Sequence, residues 1–242
     1  MPHQPLVLPV SGHAELRLST RSGRVSVTAE ERDDILVESD APLRDDKIET
    51  DATGRVAIKS GRGGSARLDV RCPIGADLTV GTVAGAVELH GLLGDVRVTT
   101  VSGSIEVERA ESLDARSISG NIAVDRCTGK SRLQTKSGSA LCGTTGDAQI
   151  STMSGQIRLD EATGNVRAES ASGKVEVSMQ GKGDVAVRTL SGSVRVEVPE
   201  GVKPAARLKS MTDEPCCDCE EGDDCEITVQ SLSGKIEVVP DR

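Results

Sequence analysis

Four of the chain's seven cysteines crowd into one acidic segment, EPCCDCEEGDDC, residues 214–225. Cys216, Cys217, Cys219 and Cys225 stand there among Glu214, Asp218, Glu220, Glu221, Asp223 and Asp224, with Glu226 next in line. Thiolates hold zinc at about 2.3 Å in tetrahedral sites, and four such ligands suffice for a closed one. The carboxylates would attract a cation while raising the thiol pKa of the empty site. The spacing, C-C-x-C-x5-C, is not the paired C-x-x-C of zinc ribbons, so an acidic loop of reduced thiols is the competing reading. Zinc is thus the one cofactor that the sequence brings into view, with these four cysteines as candidate ligands. The other three look structural: Cys142 falls on a core-facing position, Cys127 matches a corner held elsewhere by Ala110 and Ala162, and Cys72 precedes a proline.

No other constellation supports catalysis. His3, His13 and His90 are scattered, and no Ser or Cys sits in a nucleophile-elbow or catalytic-cysteine context. Glu106, Glu108, Asp160, Glu176 and Glu197 fall on outward positions of alternating segments, matched by Arg97, Arg158, Arg167 and Lys174, which reads as a solvated face rather than a glycosidase pair. The Gly-Asp pairs Gly94-Asp95, Gly146-Asp147 and Gly183-Asp184 lack the nonapeptide of calcium-binding solenoids and read as turns. No phosphate-loop signature occurs.

The elements that must carry these residues are set by a repeat. A Ser-Gly or Ala-Gly pair recurs with its glycine at 85, 103, 120, 138, 155, 173, 192 and 234, the first seven about 17 to 19 residues apart. Nine residues before a glycine sits a second turn residue: Gly94, Gly129, Gly146, Gly164 or Gly183, with Glu111 and Cys225 in the two exceptional copies. Between these turns apolar and polar residues alternate, as in Ile105 and Val107, Val175 and Val177, or Val185 and Val187. A period of two means strand, with one face buried and one wet. A further position two before the glycine is usually apolar, as at Val83, Val101, Ile118, Met153 and Leu190.

The expectation is an all-β fold, a β-solenoid with two short strands per coil of about 17–18 residues. An antiparallel meander is the alternative, less favoured because the two kinds of turn alternate in detail. Residues 76–239 form the solenoid, interrupted by the loop at 214–225. Residues 1–75 form an irregular N-terminal cap contiguous with it, in which Ile35 and Val37, Val56 and Ile58, and Leu68 and Val70 read as strands, and Asp33-Asp34, Asp45-Asp46 and Gly61 with Gly63-Gly64 as turns. Ala206, Leu208 and Met211 match one half-coil, and Ile227, Val229 and Leu232 the next, in one elongated domain.

Composition narrows the function. There is no Phe, Tyr or Trp, and the net charge is −9. Without ring faces, carbohydrate clefts and single-stranded nucleic-acid binding are disfavoured, and the acidity disfavours a phosphate backbone. The opening MPHQPLVLPVSGH has no basic stretch followed by an apolar core, and no apolar run is long enough to cross a bilayer. The expected place is the cytoplasm, with no membrane insertion and no nucleic acid.

The segments SGSIEV, GDVRVTTVSG, MSGQIRL, GDVAVRTLSG and SLSGKIEV resemble the bacterial putative-adhesin domain of unknown function, a family of β-strand repeats, and LRLSTRSGRVSV and CPIGADLTVGTVAG are similar to its N-terminal part. The resemblance runs from about residue 14 to 239 and implies a repeat architecture with no catalytic motif to carry over. A second resemblance, to the bactofilins, rests on coil length and size and implies end-to-end polymerisation. The expected function is a non-enzymatic scaffold or interaction module, with a protein partner or self-association. The alternatives are a self-assembling cytoskeletal element and a metal- or redox-responsive protein that uses the cysteine loop.

Overall fold

A computed structural model describes residues 5–10, 12–40, 48–50, 55–59 and 67–241. His3, Asp45-Asp46, Gly61 and Gly63-Gly64 lie outside the described residues. Every element among those described is a strand, and none is a helix long and apolar enough to cross a membrane. The fold is all-β and β-solenoid-like. The chain divides into two units, Met1–Ala123 and Val124–Arg242.

The first unit contains β1 (Leu6–Pro9), β2 (Glu15–Ser19), β3 (Val25–Glu30), β4 (Asp34–Ser39), β5 (Ile48–Thr50), β6 (Arg55–Lys59), β7 (Leu68–Pro73), β8 (Asp77–Gly81), β9 (Val87–Thr99) and β10 (Ile105–Arg116). Its repeats stack in parallel and in register. Val25 opposes Val87, which opposes Ile105, and Leu78 opposes Val96, which opposes Leu113. Buried columns of like on like result, which branched aliphatic side chains fill well and which need no aromatic ring. Sequence order is broken at the start. β2 lies between β6 and β8, and β3 between β7 and β9, so β6 and β7 pack outside the repeat that precedes them in the chain. Beyond them, β4 runs antiparallel to β7, β1 to β4, and β5 to β6. Pro9, unable to donate a backbone hydrogen bond, sits in β1, which among the described residues pairs with β4 alone, a position that suits a strand with an unmatched edge.

β11 (Ile122–Ser137) starts just before the boundary, and the second unit continues through β12 (Ala140–Ser154), β13 (Ile157–Ala162), β14 (Val166–Ser172), β15 (Val175–Met179), β16 (Val185–Ser191), β17 (Val194–Val198), β18 (Ala205–Lys209) and β19 (Cys216–Cys217) to β20 (Glu226–Ser233) and β21 (Ile236–Pro240). Again the columns are aliphatic: Ala148, Val166, Val185 and Ile227 in one, and Ile157, Val175, Val194 and Ile236 in another. The end of this unit departs from the expected order. β20 pairs with both β16 and β18, and β21 with both β17 and β19. The repeat of Ile227 and Val229 therefore docks directly on Val185 and Val187, and the half-coil of Ala206 and Leu208 is pushed to the outside. Ile227 and Val229 are fully buried, whereas Ala206 and Leu208 are only half-buried. Strongly apolar β-branched residues take the position with neighbours on both sides, and Ala205–Lys209, with Arg207 and Lys209, takes the one with a single partner.

The second turn of the repeat breaks the strand at Gly164 and Gly183 but not in every copy. β9, β11 and β12 run unbroken through Gly94, Gly129 and Gly146. Glycine serves there for close approach: a Cβ at Gly94 would stand 2.7 Å from the Gly75 carbonyl oxygen.

Candidate functional site

The Ser-Gly corner carries three aligned columns, each from one position of the repeat. The glycines lie backbone on backbone. A Cβ at Gly103 would come within 2.0 Å of the Gly85 oxygen, and one at Gly173 within 2.1 Å of the Gly155 oxygen. Gly173 and Gly192 also have φ of +135° and +136°, a region that side-chain-bearing residues avoid.

Three residues before the glycine, the repeat always carries a hydroxyl, and it is buried: Thr20, Thr82, Thr100, Ser117, Thr135, Thr152, Ser170, Thr189 and Ser231. Some reach a carbonyl two residues on; Thr20 Oγ1 donates to Ser22 O at 3.1 Å and Ser231 Oγ to Ser233 O at 3.0 Å. Thr82, Thr100, Ser117 and Ser170 have no partner among the described residues. The regularity was legible in the sequence, but alternation alone assigns these positions to an apolar core.

Two residues before the glycine, the side chain points out. In the first unit this column holds Val83, Val101 and Ile118, between 40% and 49% exposed. Isolated parallel bridges from Ser22 through Ala84 and Ser102 to Ser119 hold the residues next to them in step. In the second unit, pairing of Ser154 with Ser172, Ser172 with Ser191 and Ser191 with Ser233 aligns Met153, Ala171, Leu190 and Leu232. Met211 continues the line beside Leu232, two residues past the Lys209–Gln230 pair. Met153, Leu190, Leu232 and Met211 are 59%, 56%, 50% and 74% exposed. An apolar ridge thus stands on each unit, while the same position is held by Arg21 in the first and Lys136 in the second. The apolar position is visible in the sequence but its direction is not, because a corner interrupts the inside–outside alternation on which direction rests.

Elsewhere the outer face is charged and internally paired. Arg158 meets Asp160 at 2.6 Å, Arg195 meets Glu197 at 2.8 Å, and Lys174 pairs with Glu176. Arg158, Asp160, Glu176, Arg195 and Glu197 line an open concavity of about 400 Å³ with Glu161, Gln180 and Asp241. Hydrogen bonding from Lys174 holds the Glu176 carboxyl below its usual range. Glu108 is likewise held low, first by the Gly91 N–H at 3.0 Å. Carboxylates depressed in this way stay ionised at neutral pH and make poor general acids. The Gly-Asp residues are rungs between repeats. Asp147 accepts the Asn165 N–H at 2.8 Å, Asn165 accepts that of Asp184 at 3.0 Å, and Asp184 accepts that of Glu226 at 2.9 Å.

The cysteine segment lies at the outer edge of the second unit. Cys216 and Cys217 form β19 and are both exposed, Cys219 is half-buried, and Cys225 is buried just before β20. The Cys216 thiol donates to Asp218 Oδ1 at 3.0 Å. Burial first, then the neighbouring Cys217, pushes the Cys219 thiol up to about 11. Two ion pairs tie the segment down, Lys203–Glu220 at 2.6 Å and Lys182–Asp224 at 2.8 Å. Among the described residues no three His, Cys, Asp or Glu side chains are arranged to hold a metal ion. Cys72 and Cys142 are buried, and burial pushes both thiols up to about 12.

The model of the Toastrack DUF4097 family matches residues 6–239. A structure described as a putative lipid binding protein from Parabacteroides distasonis ATCC 8503 is 12% identical, with 99% of this chain and 96% of that one covered at a TM-score of 0.54. A putative adhesin from Bacteroides fragilis NCTC 9343 is 13% identical, with 99% and 96% covered at a TM-score of 0.48. No curated protein matches the chain.

Proposed function

The chain belongs to the Toastrack DUF4097 family, and from that premise we propose that it is a non-enzymatic interaction module that presents the Ser-Gly corner as its binding edge. We read residues 76–239 as coils of about 17–18 residues and residues 1–75 as a cap on them. The observation that carries the reading is the apolar ridge. Isolated exposed apolar residues are ordinary, but Val83, Val101 and Ile118 in the first unit, and Leu190, Leu232 and Met211 in the second, stand exposed in adjacent rows, and patches of this kind mark interaction sites. On the charged face Asp160, Glu197 and Glu176 are matched by Arg158, Arg195 and Lys174, an arrangement that supports a solvated face and not a reaction centre.

A photo-cross-linking residue installed at position 190, on the ridge, or at position 158, on the charged face, tests the proposal in cells that make the protein. Protein adducts formed at 190 and not at 158 support it. Adducts at neither position, or equally at both, overturn it.

A further inference from the structure

We propose that Cys217 and Cys219 form a reversible redox pair, which closes to an intrachain disulfide by reducing a small disulfide of cationic character. The inference goes beyond the interaction-module reading and rests on a different part of the second unit.

The C-C-x-C spacing gains its meaning from the backbone that carries it. Cys216 and Cys217 pair in register with Glu237 and Val238, and the Asp218 N–H continues the ladder to Val238 O at 2.9 Å. Along such an extended stretch, residues two apart share a face and neighbours do not. Four successive side chains are thereby sorted into two couples, and both couples are in contact. Cys216 and Asp218 fall on one side, joined by the bond from the thiol to Oδ1 at 3.0 Å. Cys217 and Cys219 fall on the other, where the Cys219 thiol donates to the Cys217 sulfur. Cys216 thus lies across the backbone from the pair, engaged by a carboxylate, and Cys225 is buried ahead of β20. The fold singles out one pairing among the four cysteines of the segment.

Access follows from the position of β19. Cys217 continues the column of Val196 and Val238, both fully buried. Among the described residues β19 pairs with β21 alone, and Cys217 is exposed where the same position two rows further in is core. Cys219 is half-buried. The sulfur that an incoming disulfide reaches first is therefore that of Cys217.

The Cys217 thiol loses its proton and its thiolate attacks one sulfur of the small disulfide. That S–S bond breaks, and the departing thiolate takes up a proton. Cys219 then loses its proton and attacks the Cys217 sulfur of the mixed disulfide, expelling the second small thiolate, which is protonated in turn. Two thiols of the chain are oxidised to one disulfide and the small disulfide is reduced to two thiols, with no further oxidant. Because the two sulfurs already meet, the second step is intramolecular and needs no further encounter.

Charge sets the class of disulfide. Glu214, Asp218, Glu220, Glu221, Asp223 and Asp224 stand close in the chain, and the ion pairs to Lys203 and Lys182 offset Glu220 and Asp224. The remaining field is negative. It raises the local concentration of a cationic disulfide and lowers that of an anionic one, an effect that salt screens.

The test treats the full reduced chain, under anaerobic conditions near pH 8, with cystamine, a cationic disulfide, or oxidised glutathione, an anionic one. N-ethylmaleimide in denaturant then blocks the remaining thiols, and mass spectrometry of the digest maps the linkage. Of seven cysteines, the oxidised chain should leave two unlabelled, joined as Cys217–Cys219. Cys216→Ser should oxidise in the same way, whereas Cys219→Ser should stop at a mixed disulfide on Cys217. In urea the natural chain should give a mixture that includes Cys216–Cys219. Raising salt from about 10 mM to about 0.5 M should slow the reaction with cystamine severalfold and speed that with glutathione. Native linkage through Cys216 or Cys225, or seven thiols still labelled after treatment, overturns the redox pair. Salt effects of the same sign on both reagents overturn the cationic preference.

Discussion

Replacing Gly103 with alanine tests the stacking of the Ser-Gly corner, because φ there lies outside the left-handed region and only crowding is at stake. The new Cβ would stand 2.0 Å from the Gly85 oxygen, where ordinary contact begins at about 3.4 Å. Relief requires the two backbones to part by about 1.4 Å, the difference of those distances. Three bonds span that gap: Gly85 N–H to Ser102 O at 3.2 Å, Ser102 N–H to Val83 O at 2.8 Å, and Val87 N–H to Ser104 O at 2.9 Å. Stretched by that amount, none remains a hydrogen bond. At about 1 kcal/mol net each the loss is about 3 kcal/mol, offset by up to about 1 kcal/mol from the reduced freedom of the unfolded chain. A net destabilisation of about 2–3 kcal/mol is expected. Gly81→Ala is the control: nothing lies within 4 Å of its Cβ, so only the unfolded-state gain applies, and the expected change is from none to about 1 kcal/mol stabilising. Urea denaturation followed by circular dichroism measures both, with hydrogen exchange at the Val87 amide localising the effect. If the two variants fall within about 0.5 kcal/mol of each other, the close-approach account of the corner glycines is refuted.

The hydroxyl column predicts opposite signs at two of its members. Thr100→Val removes a buried hydroxyl that has no partner and should be neutral or stabilising by up to about 1 kcal/mol, whereas Ser231→Ala breaks its bond to Ser233 O and should cost about 1 kcal/mol; equal losses in urea denaturation would contradict this. For the thiols, N-ethylmaleimide at pH 7 followed by mass spectrometry should modify Cys216 and Cys217 in the native protein, Cys219 slowly, and Cys72 and Cys142 only after denaturation. Rapid native labelling of Cys142 would contradict its burial. The Glu176 carboxyl is depressed in the folded state, so its contribution is present above the unfolded value of 4.5 and fades as pH falls through the lower folded value. The Tm difference between the natural protein and Glu176→Gln should therefore narrow below about pH 4.5, and a gap that widens on acidification would reverse the sign.

The interior was readable because burial and alternation are the same fact. Val185 and Val187, or Ile105 and Val107, declare their direction by the polar residues between them, and all four are buried. Val175 over Val194 and Ile236 follows from a repeat whose copies match position by position. The corner was only half readable. Ser-Gly pairs marked the turns, but at a turn the period of two fails, so neither the outward ridge at Leu190 nor the buried hydroxyl at Thr189 had a direction until the chain was folded. The Gly-Asp pairs were read as turns, and the hydrogen bonds of Asp147 and Asp184 to the next repeat are long-range contacts that adjacency in sequence does not show.

The linear pattern by itself determined that the chain is all-β, which side chains fill its aliphatic columns, and why a chain without a single aromatic residue can still make a core. Only the tertiary structure decided the order in which repeats stack at the ends, with Ile227 on Val185 and Ala206 outside, because that order is a competition between segments for a two-sided position. It also decided what the cysteines face. Cys216 and Cys217 lie on the outermost strand because the segment between them and β20 must return to let Ile227 dock, and the energy of burying that residue outweighs any preference that the loop has of its own.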